Sequence, residues 1–428
     1  MTDPDELPVP RLRVVTREVA AIDDVLAYAE LSNPTYWSRR GDAMAAYGET
    51  MGFTRIGSVT GFDLGEQWRA LAAAADVDDA VNLPGTGLIA FGSFAFDPLS
   101  ETPSTLSVPS VVVGRRGDRS WVTRITLAGS AEQDDAAALP EAHVYGPYWA
   151  ATLGPGALDP SGYQAAVRGG LEAIAAGEVS KVVLARDLVG SIPPGSDLRR
   201  LVRALASGYP DCWAYAVDGL IGASPETLVT VSGGSVTARV LAGTAPRGAD
   251  ADADTAASLA LATSAKDQDE HLYAVQSVLA SLRPHTSVLA ASEQPFALKL
   301  PNVFHLATDV EGELSGGASA LDLVAALHPT AAVAGTPTDA ALGVIRRLEP
   351  FDRGRYAGPV GWVDARGDGE WAIALRCAQF ELDTVPPGGR DDIPLRAHAG
   401  AGIVAGSNPE AELLETRVKF RPIVDALA

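Results

Sequence analysis

Two stretches read as helices carry carboxylates at a spacing that could hold a cation. In residues 409–419, Glu412 and Glu415 stand at i and i+3 and so share one helix face. Asp267 and Glu270 repeat that spacing upstream, beside His271. Two such pairs could hold magnesium, a hard ion that takes a few carboxylates together with substrate oxygens and water. Acidic pairs of this kind also decorate ordinary solvated helices. Lys181 opens the apolar run KVVLAR; it could serve as a base if its amine were held neutral, or lie along a strand edge with its charge in water. Glycine-rich turns at 241–248 and 397–406 could offer backbone amides to an anion, or serve close packing. Neither turn has the Gly-Lys-Ser/Thr of a phosphate loop. The alternating Asp250, Asp252 and Asp254 fail as a calcium loop, because Thr255 and Leu261 stand where Gly and Glu are needed. They read instead as a solvated helix entry.

Positioning these groups requires strands above all. Alternating or β-branched residues bounded by Gly, Pro and Asp predict strands at 88–96, 110–114, 121–127, 181–189, 212–221, 228–231, 235–241, 303–310, 358–363, 370–380 and 395–404. Helical periods appear at 163–176, 198–206, 255–281, 320–327, 339–348 and 409–426. Segments 130–141, 192–197 and 384–392 read as surface loops. Short hairpin-like links at 232–235 and 365–370 favour an α+β protein with large, mostly antiparallel sheets over a βαβ array.

The bulk composition narrows the function. The chain has 428 residues, 47% hydrophobic and 20% charged, which is globular and not disordered. No run of about 18 uncharged apolar residues is present, so no membrane span is expected. The acidic, proline-rich N-terminus lacks the order of a secretory signal. Cys212 and Cys377 lie in apolar runs and are expected as buried thiols of a cytoplasmic protein. A formal charge of −21 argues against nucleic acid as a partner. It also means that an anionic substrate would need positive charge gathered locally.

The motifs gain meaning in combination. In order, the chain carries SKVVLAR (180–186), SPET (224–227), LAGTAPRG (241–248), SAKDQDEH (264–271), NVFHL (302–306), LHPTAAVAG (327–335), EPFDRGRYAGPVGW (349–362), ALRCA (374–378) and AGAGIVAGSNPEAELLETRVK (399–419). Together they closely resemble the chorismate-utilising enzymes, a family of isochorismate, salicylate, anthranilate and aminodeoxychorismate synthases. The resemblance covers about residues 160–425, while residues 1–150 match more loosely, as extra strands of the same sheet system. It implies a single large domain over 1–428, of two packed, mostly antiparallel β-sheets with helices outside. It also implies magnesium, held by Glu270, Glu412 and Glu415 and bridging to the ring carboxylate of chorismate. Lys419 would meet a substrate carboxylate, Arg376 and Tyr356 would grip the enolpyruvyl carboxylate, and His305 would lie beside the ring. Gly400 and Gly402 would give backbone contacts, with Gly243, Thr244, Ala332 and Val333 as further substrate-contact positions. Lys181 matches the family's base and Glu226 its acid. Magnesium with Lys181, Lys419 and Arg376 would make a positive pocket inside an acidic protein.

Within the family, the ammonia-using members usually have Gln where Lys181 stands, so the lysine implies water as nucleophile and no glutaminase subunit. Ala242 excludes the covalent lysine of one aminodeoxychorismate type, and Val240 replaces the Pro typical of anthranilate synthases. Salicylate synthases tend to have Thr where Ala332 stands. The expectation is therefore a monomeric isochorismate synthase acting on chorismate, feeding menaquinone or a siderophore. The alternatives are a salicylate synthase, which would go on to eliminate pyruvate, and a non-catalytic chorismate binder. The latter would require loss of Lys181, Glu226, Glu270 or Glu415, and all four are present.

Overall fold

The run KVVLARDLVGSI forms the strand Lys181–Ile192. It pairs antiparallel with Ile393–Ile403, so that Val183 faces Gly402 and Ala185 faces Gly400. The computed structural model describes residues 9–56, 61–130, 136–299, 303–382 and 391–428, with backbone only at 61–63, 244, 266, 270 and 303. From the Lys181 strand the ladder continues through Ile393–Ile403, Cys377–Phe380, Leu220–Ser224, Trp213–Val217 and Thr35–Arg39 to Asp42–Arg55. There it joins Ser104–Arg116. It runs on through Ile89–Ser93, Pro359–Asp364, Gly369–Ile373, Thr227–Ser232 and Ser235–Pro246 to Val303–Leu314.

Every step of that path is antiparallel, and its two arms pack face to face as two sheets. Trp37 and Trp213 of the first arm stack at 5.1 Å. Their indoles donate across the interface, Trp37 to Glu370 at 2.9 Å and Trp213 to Thr227 at 2.8 Å. Fully buried Trp362 and Trp371 of the second arm join them in one core. Helices Pro160–Ala175 and Pro409–Leu427 cover the outside of the Lys181 strand pair. Gly170 permits the approach, since a Cβ there would lie 3.3 Å from Val182 and 3.2 Å from Leu184. The expected α+β architecture of packed, mostly antiparallel sheets with outer helices is the one observed.

Three expected elements are each divided in two. The segment 212–221 is not one strand but a hairpin, turned at Asp218 and Gly219 with φ of 50° and 72°; Asp-Gly is a strong signal for such a turn. The segment 370–380 breaks into two strands, with Arg376 between them at φ 51°. The helix expected at 255–281 is two, Ala251–Thr263 and Ala265–Leu282, because Ser264 caps the second by accepting from the Asp267 amide. At the first helix's start Asp254 is buried and paired with Arg247 at 2.5 Å, not solvated. A helix at Gly61–Ala74 was not anticipated. Parts of two expected loops, 131–135 and 384–390, lie outside the described residues. Cys212 and Cys377 are buried free thiols. Among the described residues, no helix is long and apolar enough to cross a membrane.

Candidate active site

The strand period of two decides what faces the space between the arms. Lys181 and Val183 project inward from one strand, and His398, Gly400 and Gly402 line the same side of its neighbour. They wall a cavity of about 360 Å³, within the range of small-molecule sites. The C-terminal helix starts at its rim. Asn408 caps that helix by accepting from the Glu410 and Ala411 amides, and Glu412, Glu415 and Lys419 reach the cavity from one face of it. Lys419 donates to the Gly400 carbonyl at 2.8 Å and pairs with Glu415 at 2.6 Å.

The second arm supplies the opposite wall. Glu226 lies in a short loop pinned by Ser224, whose hydroxyl donates to the Ile373 carbonyl at 2.6 Å and accepts from the Glu226 amide at 3.2 Å. Gly243, at φ 79°, sits in a bulge where the register slips between Ala242 and Thr244. Its backbone hydrogen-bonds the ring of His305 on the paired strand. Arg376 and Ala357 also line the cavity, and both are non-glycine residues in the left-handed region, at φ 51° and 64°. Such backbone is costly for an L side chain and concentrates at functional sites. It turns Arg376 out of the strand direction, which period-two reading could not reveal.

Of the expected residues, Lys181, Glu226, Gly243, His305, Ala332, Val333, Tyr356, Arg376, Gly400, Gly402, Glu412, Glu415 and Lys419 all line this one cavity. The side chains of Thr244 and Glu270 lie outside the described residues. Sequence reading missed two members. Arg353, buried, forks onto Glu349 at 2.6 and 2.8 Å and donates to the carbonyls of Val333 and Val183 at 2.9 and 2.8 Å. Glu349 in turn accepts from the Ala185 amide at 2.7 Å. This pair therefore ties the Lys181 strand to the Ala332–Val333 segment. His398 stacks on Tyr356 with centroids 5.0 Å apart. Arg353 belonged to the motif at 349–362 and His398 to the glycine-rich turn at 397–406, but neither has a periodic signature. His271 proves to be scaffold: its Nδ1–H donates to the Ala242 carbonyl at 3.2 Å and its Nε2 meets the Thr308 hydroxyl at 2.7 Å. That docks helix Ala265–Leu282 so that Asp267 reaches the cavity.

Charge in the cavity is balanced and unevenly held. Four basic side chains (Lys181, Arg353, Arg376, Lys419) face four carboxyl groups (Glu226, Asp267, Glu412, Glu415) among the described residues. Burial pushes Glu226 up to about 7 against the opposing pull of Lys181, Lys419 and Arg376. Burial also works against the Glu415 anion, yet Lys419 holds its carboxyl below the usual range. Burial, reinforced by Lys419 and Arg376, drops His305 to about 3, so its ring is neutral.

The expectation of a positive pocket thus depends on a bound cation, since the side chains alone nearly cancel. Glu412 and Glu415 project side by side into the cavity, which suits an ion that binds one or two carboxylates and completes its shell with substrate and water. Among the described residues, no group of three His, Cys, Asp or Glu is gathered closely enough to hold a metal alone. The donor chemistry fits magnesium shared with a ligand.

The family profile described as "Chorismate binding enzyme" matches residues 5–428. Isochorismate synthase DhbC of Bacillus subtilis (strain 168) is 42% identical over 281 residues, covering 63% of this chain and 68% of that protein. The salicylate biosynthesis isochorismate synthase of Pseudomonas aeruginosa is 32% identical over 424 residues, 92% of this chain and 84% of the relative. Among solved structures, MenF, the menaquinone-specific isochorismate synthase from Escherichia coli, superposes with a TM-score of 0.76 at 26% identity, covering 98% of this chain and 96% of that one.

Proposed function

Since the chain belongs to the chorismate binding enzyme family, we propose that it isomerises chorismate to isochorismate. One observation supports this reading: Lys181, on a strand of the first arm, and Glu226, in the link between the arms, line a single cavity, where a base and an acid could act on one ring. Water loses a proton to the Lys181 amine as its oxygen bonds to ring carbon C2. The two ring double bonds shift, the C4–O bond breaks, and the departing oxygen leaves as water with the proton of Glu226. Glu226, held at about 7 by burial, carries that proton near neutral pH.

Arg376 and Tyr356 would receive the enolpyruvyl carboxylate, and Lys419 the ring carboxylate beside the metal. Glu412 and Glu415, with Glu270, would hold magnesium, which when bound supplies positive charge against that carboxylate. Neutral His305 would border the ring without adding charge to it. Because water is the nucleophile, the reaction needs no glutaminase partner, and a cytoplasmic monomer suffices. The product would enter menaquinone or siderophore synthesis; the names of the relatives attach isochorismate to menaquinone in one case and to salicylate in another.

Product analysis after incubation with chorismate and magnesium tests the reading. A reversible mixture of chorismate and isochorismate is expected, abolished by EDTA and restored by magnesium. Pyruvate accumulating with turnover would make the protein a salicylate synthase, and full activity without metal would remove the role given to the glutamates.

A further inference from the structure

Behind Glu226 lies a second cavity, of about 270 Å³. Glu226, Leu241 and Ala332 line both cavities and so form the partition between them. The far side is built from helix Ala265–Leu282, through Ala274, Ser277, Val278 and Ser281, and from the chain around His328 and Thr330. Asp339, exposed, stands at its edge.

His328 and Thr330 line this cavity, and each carries a buried polar atom, Nδ1 and Oγ1, with no hydrogen-bond partner among the described residues. His328 Nε2–H donates to the Phe96 carbonyl at 3.0 Å. Burial lowers the ring to about 4, so it is neutral and Nδ1 is a bare acceptor. Buried polar atoms of this kind are costly unless water reaches them. At about 30 Å³ per molecule, this space is large enough for several waters, with Glu226, Thr330 and His328 among the polar residues that line it.

The proposed reaction creates a need for such water. Each turnover leaves Lys181 as an ammonium and Glu226 as a carboxylate, although isomerisation consumes no proton overall. The proton must therefore be lost from one side of the ring and regained on the other. While the ring fills the first cavity, it separates Glu226 from Lys181. We propose that the second cavity is a water-filled proton route that recharges Glu226 from solvent, with Thr330 and His328 as its hydrogen-bonding stations and Asp339 at its mouth. In each cycle the Glu226 carboxylate takes one proton from this water chain, which draws one from bulk. Lys181 returns one proton to bulk through the first cavity.

This inference rests on the isomerase reading, and the test separates the two. Thr330→Val removes a station, Ser277→Leu fills the space, and Thr330→Ser retains the hydroxyl. In the full-length protein, Thr330→Val and Ser277→Leu should lower kcat by about tenfold or more with KM and thermal midpoint unchanged. In Thr330→Val, kcat should also become dependent on the concentration of a small diffusible acid such as imidazolium. Thr330→Ser should match the parent. Unchanged kcat in Thr330→Val and Ser277→Leu, or a fall in Thr330→Val that added imidazolium does not relieve, overturns the route.

A second readout does not need turnover. With chorismate bound, the infrared carboxyl band that Glu226→Gln removes should shift promptly in D2O in the parent and slowly in Ser277→Leu. Equal rates overturn the proposal. Failure of the parent to convert chorismate counts against the isomerase reading alone.

Discussion

A Cβ added to Gly402 would lie 3.1 Å from Cε of Lys181 and 3.7 Å from its Nζ. Gly402 does not have a positive φ, so what it provides is room for the lysine. Gly402→Ala should fold normally but push the amine aside. Misplacement of about 1 Å can cost on the order of a hundredfold, so kcat should fall by roughly tenfold to a hundredfold with little change in thermal midpoint. An unchanged kcat would show that the amine is not held at its working position by this contact.

Lys181 and Arg376 should fail in different ways. Lys181→Gln keeps a hydrogen-bond donor but loses the basic amine, so chorismate should bind nearly as well while turnover drops by about 10²–10⁴. Arg376→Gly removes both the guanidinium and a left-handed strain of about 1–3 kcal/mol. The glycine variant should therefore be at least as stable as the parent yet bind chorismate poorly. Calorimetric binding and unfolding curves on both variants check this, and tight binding by Arg376→Gly would remove its proposed carboxylate.

Glu226 should leave a pH signature. Its folded value of about 7 lies above the ordinary 4.5, so the folded state holds the proton more tightly than the unfolded chain. The stability this contributes is complete below about pH 4.5 and is lost as pH rises through about 7. Relative to Glu226→Gln, the parent should lose up to about 3 kcal/mol over that window. Denaturant unfolding of both proteins at about pH 5 and about pH 8 reads the difference directly. Parallel pH curves would contradict the raised value, as would a forward rate that does not fall above neutrality.

The Arg353–Glu349 pair should govern both stability and rate. Side chains of the pair are 2% and 1% exposed, so Arg353→Met leaves an uncompensated buried carboxylate at a cost of about 3–5 kcal/mol. Arg353→Met combined with Glu349→Leu should regain much of that stability. It should still turn over slowly, because the bonds to Val183 and Val333 that align the Lys181 strand are gone. A double variant with parental kcat would show that the pair acts on stability alone.

Much of this was legible in the chain. The β-branched run at 181–189, the helical period at Ala320–Leu327 and the i, i+3 spacing of Glu412 and Glu415 are local properties, and local sterics enforce them. The breaks were harder to read. Arg376 sits between two strands of good β propensity, and its left-handed backbone is stabilised by a partner far along the chain, the Ala223 amide donating to its carbonyl at 3.2 Å. Ser264 splits one helical period in two, because a cap needs only a single side chain and leaves the period on either side intact.

The residue types of the site, Lys181, Glu226, Arg376 and the glutamates of the last helix, were settled by the sequence, because ordered motifs and helical spacing are written along one dimension. Their gathering into one cavity belonged to the tertiary structure. Lys181 lies on a strand of the first arm and Glu226 in the link between the arms, in a ladder whose strand order bears little relation to chain order. Arg353 and His398 were likewise decided there, since their importance lies in what they touch: the carbonyls of Val183 and Val333, and the ring of Tyr356. Such contacts depend on how two sheets close on each other, and packing of that kind is set by side-chain volumes acting together, which no single segment encodes.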